Sequence, residues 1–242
     1  VDKEGAEARN GIFMIDASKG FIKDGNKNRL REMDIHQIVD VFNKQTEVSG
    51  YSHLVSLAEI EKNEFNLNIP RYIDSQEAED IQDIEGHLRG GIPEADVDAL
   101  GEYWSVCPQL RGSLFAQLRP GYLSLTVDKA GINSVIYEHP EFAGFRSRME
   151  ALLTEWHDLT IGTLKELEPG CHPKTIVAEL GEGLLAHYAD KLLVERYDVY
   201  QRLMDYWGDT MQDDCYLIAA EGWAAETSRI LESNKAGKQV DK

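Results

Sequence analysis

Chemistry in this chain of 242 residues would have to come from a few places. Cys171 and His172 are adjacent and Cys215 is distant, but no Cys-x-x-Cys or His-x-x-x-His pair sets metal ligands at a workable spacing. A nucleophilic Cys-His pair would lack a third residue to orient it. The remaining histidines, His36, His53, His87, His139, His157 and His187, show no grouping, which fits hydrogen-bonded or solvated roles. Asp213-Asp214 could offer oxygens to a hard cation, yet the alternating ligands and the glycine of a calcium loop are missing, so a capped turn before Tyr216-Leu217-Ile218 is expected. Leu180-Gly181-Glu182-Gly183-Leu184 comes nearest to a phosphate-cradling loop, but it lies inside a helical pattern with no strand before it, and close packing is expected there. One cluster stands out. Lys19, Lys23, Lys27, Arg29 and Arg31 gather five cations into 13 residues, with Asp24 among them and Glu32 directly after. Two readings stay open for it: an exposed, solvated loop, or a contact to a phosphate backbone that positions without reading sequence.

The elements that must position these residues are mixed. Residues 11–16 form a short apolar run bounded by glycines and read as a buried strand. A turn-rich stretch over 23–28 follows, and then Ile35, Ile38, Val39 and Phe42 repeat at helical spacing behind a cap expected at Asp34. Residues 51–55 look extended, and Ser56 with Glu59 has the spacing of a capping box. Residues 66–72 are not helical through Pro70. Residues 76–85 are acidic with few apolar groups, reading as a solvated helix that ends at Gly90-Gly91. Beyond it, Val97, Leu100 and Trp104 predict a helix of about four turns from Pro93. Residues 122–127 alternate as a strand, the one convincing strand of this half. Three stripes then predict packed helices: Phe142, Phe145, Met149, Leu152, Leu153 and Trp156; Ile176, Leu180, Leu184 and Tyr188; and Leu192, Tyr197, Tyr200, Leu203, Met204 and Trp207. The four tryptophans, Trp104, Trp156, Trp207 and Trp223, read as core more than as interface anchors.

Charge supports a division of the chain. The formal net charge is −18, divided as −2 over residues 1–72, −8 over 73–100 and −8 over 101–242. So acidic a chain is repelled by phosphate backbones except where its cations gather. No run approaches the roughly 18 apolar residues of a membrane span, and no membrane partner is expected. The start lacks a secretory pattern and a Met, so the chain is expected to begin inside a longer reading frame. Three widely spaced cysteines suit a reducing compartment, and the expected location is the cytoplasm. The closing residues 236–242 are polar and read as a frayed end.

Four blocks in order resemble the late part of the modification subunit of bacterial type I restriction–modification systems, an N6-adenine DNA methyltransferase. They are Gly11-Ile12-Phe13-Met14-Ile15-Asp16-Ala17-Ser18; Asn28-Arg29-Leu30-Arg31-Glu32-Met33-Asp34-Ile35; Tyr51-Ser52-His53-Leu54-Val55-Ser56-Leu57; and Phe65-Asn66-Leu67-Asn68-Ile69-Pro70-Arg71-Tyr72. Residues from His87 to Ile218 resemble the carboxy-terminal region of one branch, with less distinctive motifs.

The resemblance implies a mixed α/β, mainly α fold: the tail end of a methyltransferase-type sheet over 1–72, an acidic linker over 73–92 and a helical region with one short hairpin or strand over 93–242. It implies that Asn66, Asn68, Pro70, Arg71 and Tyr72 close the methyltransferase domain. The family's Gly-rich loop for S-adenosylmethionine and its Asn-Pro-Pro-Phe/Tyr motif do not occur in these residues and are expected upstream. No residue here is carried over as catalytic, and no cofactor or metal is expected on this chain alone. The implied partners are a specificity subunit, a restriction subunit and, in the assembled complex, DNA. A free-standing helical adaptor that binds protein partners is the alternative.

Overall fold

In the computed structural model the structure describes residues 10–75 and 83–224, together with the backbone of Leu231–Ser233 and Gln239–Asp241. The expected helix over 76–85 lies mostly outside the described residues, as does most of the tail.

The first part is built on a two-stranded antiparallel pair, β1 (Gly11–Ile15) and β4 (Ser52–Ser56), with Gly11 opposite Ser56 and Ile15 opposite Ser52. Only Met14 of β1 is buried, so the strand expected to be buried is covered on one side at most. Between the pair, β2 (Ile22–Asp24) and β3 (Lys27–Arg29) form a hairpin where a turn-rich loop was expected, turning at Gly25 with φ +60°. Helix α1 (Glu32–Lys44) follows and α2 (Leu57–Lys62) comes after β4. Asp34 is not the residue ahead of α1. It is the third helical residue, and its carboxylate reaches back to accept the Arg31 N–H at 2.8 Å. The capping box before α2 forms as read: Ser56 N–H donates to Glu59 at 2.8 Å, and Glu59 N–H donates to Ser56 Oγ at 3.3 Å. Ile69–Arg71 makes one 3₁₀ turn, with Pro70 in its first positions where a missing N–H costs nothing. Met14, Val55, Ile60 and Ile73 form a small core, with Ile69 and Tyr72 packed on it.

After α3 (Ile84–Arg89) the chain turns through Gly90 and Gly91, both at positive φ, into β5 (Ile92–Pro93). The helix expected from Pro93 is broken into α4 (Glu94–Asp98), α5 (Gly101–Val106) and α6 (Pro108–Leu114). The Trp104 indole N–H donates to the Val97 carbonyl, the acceptor that a continuous helix would offer to Gly101. The expected lone strand is β7 (Tyr122–Leu125), and it sits in the middle of a three-stranded sheet between β5 and β6 (Phe115–Arg119).

Helices α7 (Ile132–Glu138), α8 (Pro140–Lys165), α9 (Pro173–His187), α10 (Arg196–Tyr206) and α11 (Gln212–Glu221) complete the region, with a π-helical stretch, Trp207–Met211, joining α10 to α11. Asp213-Asp214 therefore lies in the first turn of a helix, where carboxylates suit the positive end of the helix dipole, and not in a capped turn. Ile176, Leu180, Leu184, Tyr188, Leu203, Trp207 and Cys215 form the main core, with Leu152 and Trp156 of α8 packed on it. A second core holds Cys107, Leu110 and Leu114, with Trp104 and Phe142 against them. Leu192 and Leu153 are half exposed and leave their stripes, and Trp223 is 63% exposed, with its indole N–H bonded to the Leu167 carbonyl. A Cβ at Gly181 would stand 2.7 Å from the Tyr200 ring, so that glycine lets α9 and α10 close together. In the tail, β8 (Leu231–Ser233) and β9 (Gln239–Asp241) pair antiparallel. No helix among the described residues is long and apolar enough to cross a membrane.

Candidate functional site

The hairpin distributes the basic cluster instead of concentrating it. Cross-strand partners share a face, so Lys27 and Arg29 lie on one side with Asp24, and Lys23 lies on the other beside Asn28. Arg29 is 3.2 Å from Asp24, and both side chains remain mostly in water. Lys23 donates to Asn28 Oδ1 at 2.7 Å and lies over the Phe21 ring. Lys27 is exposed beside the turn, and Lys19 is exposed in the turn after β1. Arg31 is committed elsewhere. Its Nε and Nη2 donate to the Asp34 carboxylate at 2.9 and 2.8 Å. These bonds from Arg31 hold Asp34, which is 4% exposed, below the usual carboxylate range. Four of the five cations thus face solvent around the hairpin, and the fifth fixes the start of α1.

The residues at 66–72 form a self-bonded turn. Asn68 N–H donates to Asn66 Oδ1 at 3.0 Å, and Tyr72 OH donates to the Asn66 carbonyl at 2.7 Å. Pro70 and Arg71 are exposed, while Tyr72 joins the core beneath β1 and β4.

Beside this turn, a cleft of about 350 Å³ is lined by Glu47, Ser49, His53, Tyr72 and Asp74, among others. His53 Nδ1 lies 2.9 Å from Glu47, and its Nε2 lies 3.2 Å from Glu59. The bond to Glu59 raises the His53 pKa, and Ser56 N–H leads the groups that bring the Glu59 carboxyl down to about 2. With a carboxylate on each ring nitrogen, His53 bridges the loop ahead of β4 and α2.

Residues to which the sequence assigned no joining role connect the first part to the helical region. Met33 packs with Leu185 and Tyr197, and its N–H donates to Gln201 Oε1 at 3.0 Å. Asp40 accepts from Tyr197 OH at 2.7 Å and from Arg196 at 3.4 Å. The His36 ring lies 4.5 Å from that of Tyr200. Burial first, then the bond to Asp40, pushes the Tyr197 hydroxyl up to about 12, so it remains a donor at neutral pH. The only signal for this seam was the spacing of Met33, His36 and Asp40 along one side of α1.

The Gly pair forms no cradle for a nucleotide cofactor. Gly181 is filled by Tyr200 and both glycines lie inside α9, so S-adenosylmethionine does not fit there. No group of three or more His, Cys, Asp or Glu residues able to hold a metal ion occurs among the described residues, and Cys107, Cys171 and Cys215 are free thiols.

The family model for N-6 DNA methylase matches residues 1–81. The similarity to N-6 DNA methylase is thus confined to the amino-terminal third of the chain, and the hairpin, α1, β1–β4 and the 66–72 turn all lie within the matched stretch. The relatives that match are methylase subunits of type I restriction enzymes. The MjaVII methylase subunit of a type I restriction enzyme from Methanocaldococcus jannaschii is 41% identical over 86 residues, covering 34% of this chain and 15% of that protein. The corresponding MpnII methylase subunit from Mycoplasma pneumoniae is 29% identical over 85 residues, covering 35% of this chain and 16% of that protein. The MjaVIII methylase subunit from M. jannaschii is 32% identical over 88 residues. The similarity supports a fragment of a type I methylase subunit, although it spans only about one-sixth of these relatives. No solved structure matches.

Proposed function

We propose that this chain is the closing part of a type I restriction–modification methyltransferase subunit that acts on adenine N6 in DNA. Residues 1–72 supply the last elements of the catalytic domain, 73–92 link them to the rest, and 93–242 dock the specificity subunit. The observation that carries this reading is the fall of the family match on β1, β4, α2 and the 66–72 turn, which share one small core. Asn66, Asn68, Pro70, Arg71 and Tyr72 close that domain. The complete subunit uses S-adenosylmethionine and works with a specificity subunit, a restriction subunit and DNA in the cytoplasm. This chain alone is not catalytic, and no step is assigned to its residues.

The test is the intact mass of the native protein in source cells, detected with an antibody against residues 93–232, followed by methyl transfer from labelled S-adenosylmethionine to DNA. The expected result is a species far heavier than 27.3 kDa that methylates DNA with its specificity subunit, while the 242-residue chain transfers nothing. A native species of 27.3 kDa would overturn the reading in favour of a free-standing adaptor, and transfer by the 242-residue chain would overturn the placement of catalysis upstream.

The exposed cations Lys19, Lys23, Lys27 and Arg29 touch the DNA backbone in the assembly, and Arg31 holds the helix start behind them. Reversing Lys23 and Lys27 to Glu is expected to weaken DNA binding of the assembly by about tenfold at moderate salt. If both contact phosphates, the salt slope flattens by about two units. Unchanged binding across a salt titration would remove the contact.

A further inference from the structure

The segment between α8 and α9 runs back along α11, contact by contact in reverse order. The Trp223 indole N–H donates to the Leu167 carbonyl at 2.8 Å. A Cβ at Gly222 would stand 3.2 Å from the Pro169 ring. Gly170 N–H donates to the Ala219 carbonyl at 2.7 Å. The next residue of the segment is Cys171, and one helical turn before Ala219, on the same side of α11, comes Cys215. The two side chains converge on the main core: Cys215, 4% exposed, is part of it, and half-buried Cys171 packs against it. Burial first, and then the neighbouring Cys171, push the Cys215 thiol up. Cys107 stands apart, buried in the second core with Leu110 and Leu114.

We propose that Cys171 and Cys215 form a reversible oxidation site, at which hydrogen peroxide converts the two thiols to a disulfide that staples the segment after α8 to α11. Cys171, which water reaches, acts first. Its sulfur attacks the peroxide and the O–O bond breaks, leaving a sulfenic acid on Cys171, while the proton released from the thiol goes to the departing hydroxide, which leaves as water. The Cys215 sulfur then attacks the Cys171 sulfur. The S–S bond forms, the S–O bond breaks, and the Cys215 proton leaves with the second hydroxide as water. Two thiols lose two electrons and one peroxide gains them. A dithiol reductant reverses the step by thiol–disulfide exchange. An accessible thiol with a second thiol beside it to resolve the sulfenic acid is the arrangement of redox-sensing cysteines, and it suits a compartment that keeps thiols reduced at rest. The ring so closed spans about 45 residues. It contains α9, α10 and the π-helical stretch, and with them Tyr197, Tyr200 and Gln201, which meet α1. Oxidation therefore tightens the helices that hold the first part of the chain.

The test treats the folded 242-residue chain with hydrogen peroxide at neutral pH, caps the remaining thiols and maps the peptides by mass. The expected product is a cross-linked pair of peptides holding Cys171 and Cys215, about 2 Da lighter than the two thiol peptides together. Cys107 is expected to be recovered capped, and dithiothreitol to restore all three thiols. The oxidised chain is expected to melt about 5–10 °C higher than the reduced one. Cys215→Ala is expected to halt at a sulfenic acid on Cys171 that dimedone traps. Cys171→Ser, at a position already open to water, is expected to leave Cys215 reduced. Dimedone on Cys171 of the wild-type chain with no cross-link to Cys215 would overturn the proposal. So would a disulfide through Cys107, a disulfide between two chains, or one that forms only in urea. Oxidation of Cys215 at an undiminished rate in Cys171→Ser would overturn it as well, because peroxide would then not enter at Cys171. An unchanged melting point in the cross-linked chain would overturn the staple.

Discussion

Asp34→Ala is expected to destabilise the chain by about 2–4 kcal/mol, lowering the melting point by roughly 5–12 °C. The Asp34 carboxylate is 4% exposed and accepts from Arg31 three times, through the backbone N–H, Nε and Nη2, at 2.8–2.9 Å. Its removal strands a guanidinium that is only a third exposed and leaves the first turn of α1 with an unsatisfied donor. Water still reaches Arg31, which keeps the cost below that of a fully buried pair. Asp34→Asn keeps an acceptor and is expected to lose about half as much.

The sign of the pH dependence follows from the same bonds. Because the folded pKa of Asp34 is depressed, its contribution is complete above the unfolded value of 3.8 and is lost as pH falls through the folded value. Acid titration of the wild-type chain should therefore show a loss of stability below about pH 4 that is shallower in Asp34→Ala. Identical acid limbs would show that the bonds to Arg31 contribute nothing.

Gly11→Ala is expected to cost about 2–3 kcal/mol, with the loss confined to the β1–β4 pair. A Cβ there would stand 2.2 Å from the Val55 carbonyl oxygen and 3.0 Å from its carbon. Both are backbone atoms of a residue with no exposed surface, so the strands must part at the Gly11–Ser56 end. Hydrogen exchange should quicken in residues 11–15 and 52–56 and stay unchanged in α9 and α10. Uniform quickening across the chain would mean that the β1–β4 pair and the helical region unfold as one unit.

What the amino-acid sequence made legible was local. The Ser56–Glu59 box needs only two residues at a fixed spacing, and the stripe of Ile176, Leu180, Leu184 and Tyr188 needs only one helix with one buried side. The α1 helix itself was legible for the same reason, but its capping was misplaced, because Asp34 bonds backwards from inside the helix. The break in the helix after Pro93 depends on Trp104 reaching seven residues back, which no periodicity records. Strand β6 is a five-residue segment, Phe115 to Arg119, held by its partner β7 more than by its own residue types. The same limit applies to the candidate site. Five cations close in sequence looked like one patch, yet alternation across a three-residue strand pair turns Lys23 away from Lys27 and Arg29, and Asp34 claims Arg31. The seam of Met33, His36 and Asp40 with α10 is set by residues more than 140 positions away and leaves almost no trace in composition.

Helix α8 holds 26 residues and none of them is buried, although its Phe142 end joins one core and its Trp156 end joins another. At 1.5 Å per residue it is a beam about 39 Å long, anchored at separate points along its length. A beam held this way converts angle into distance. A tilt of about 5° imposed on one end moves the other by about 3 Å, so a partner that grips the small three-stranded sheet would shift the ground beneath α9 and α10, and through them α1.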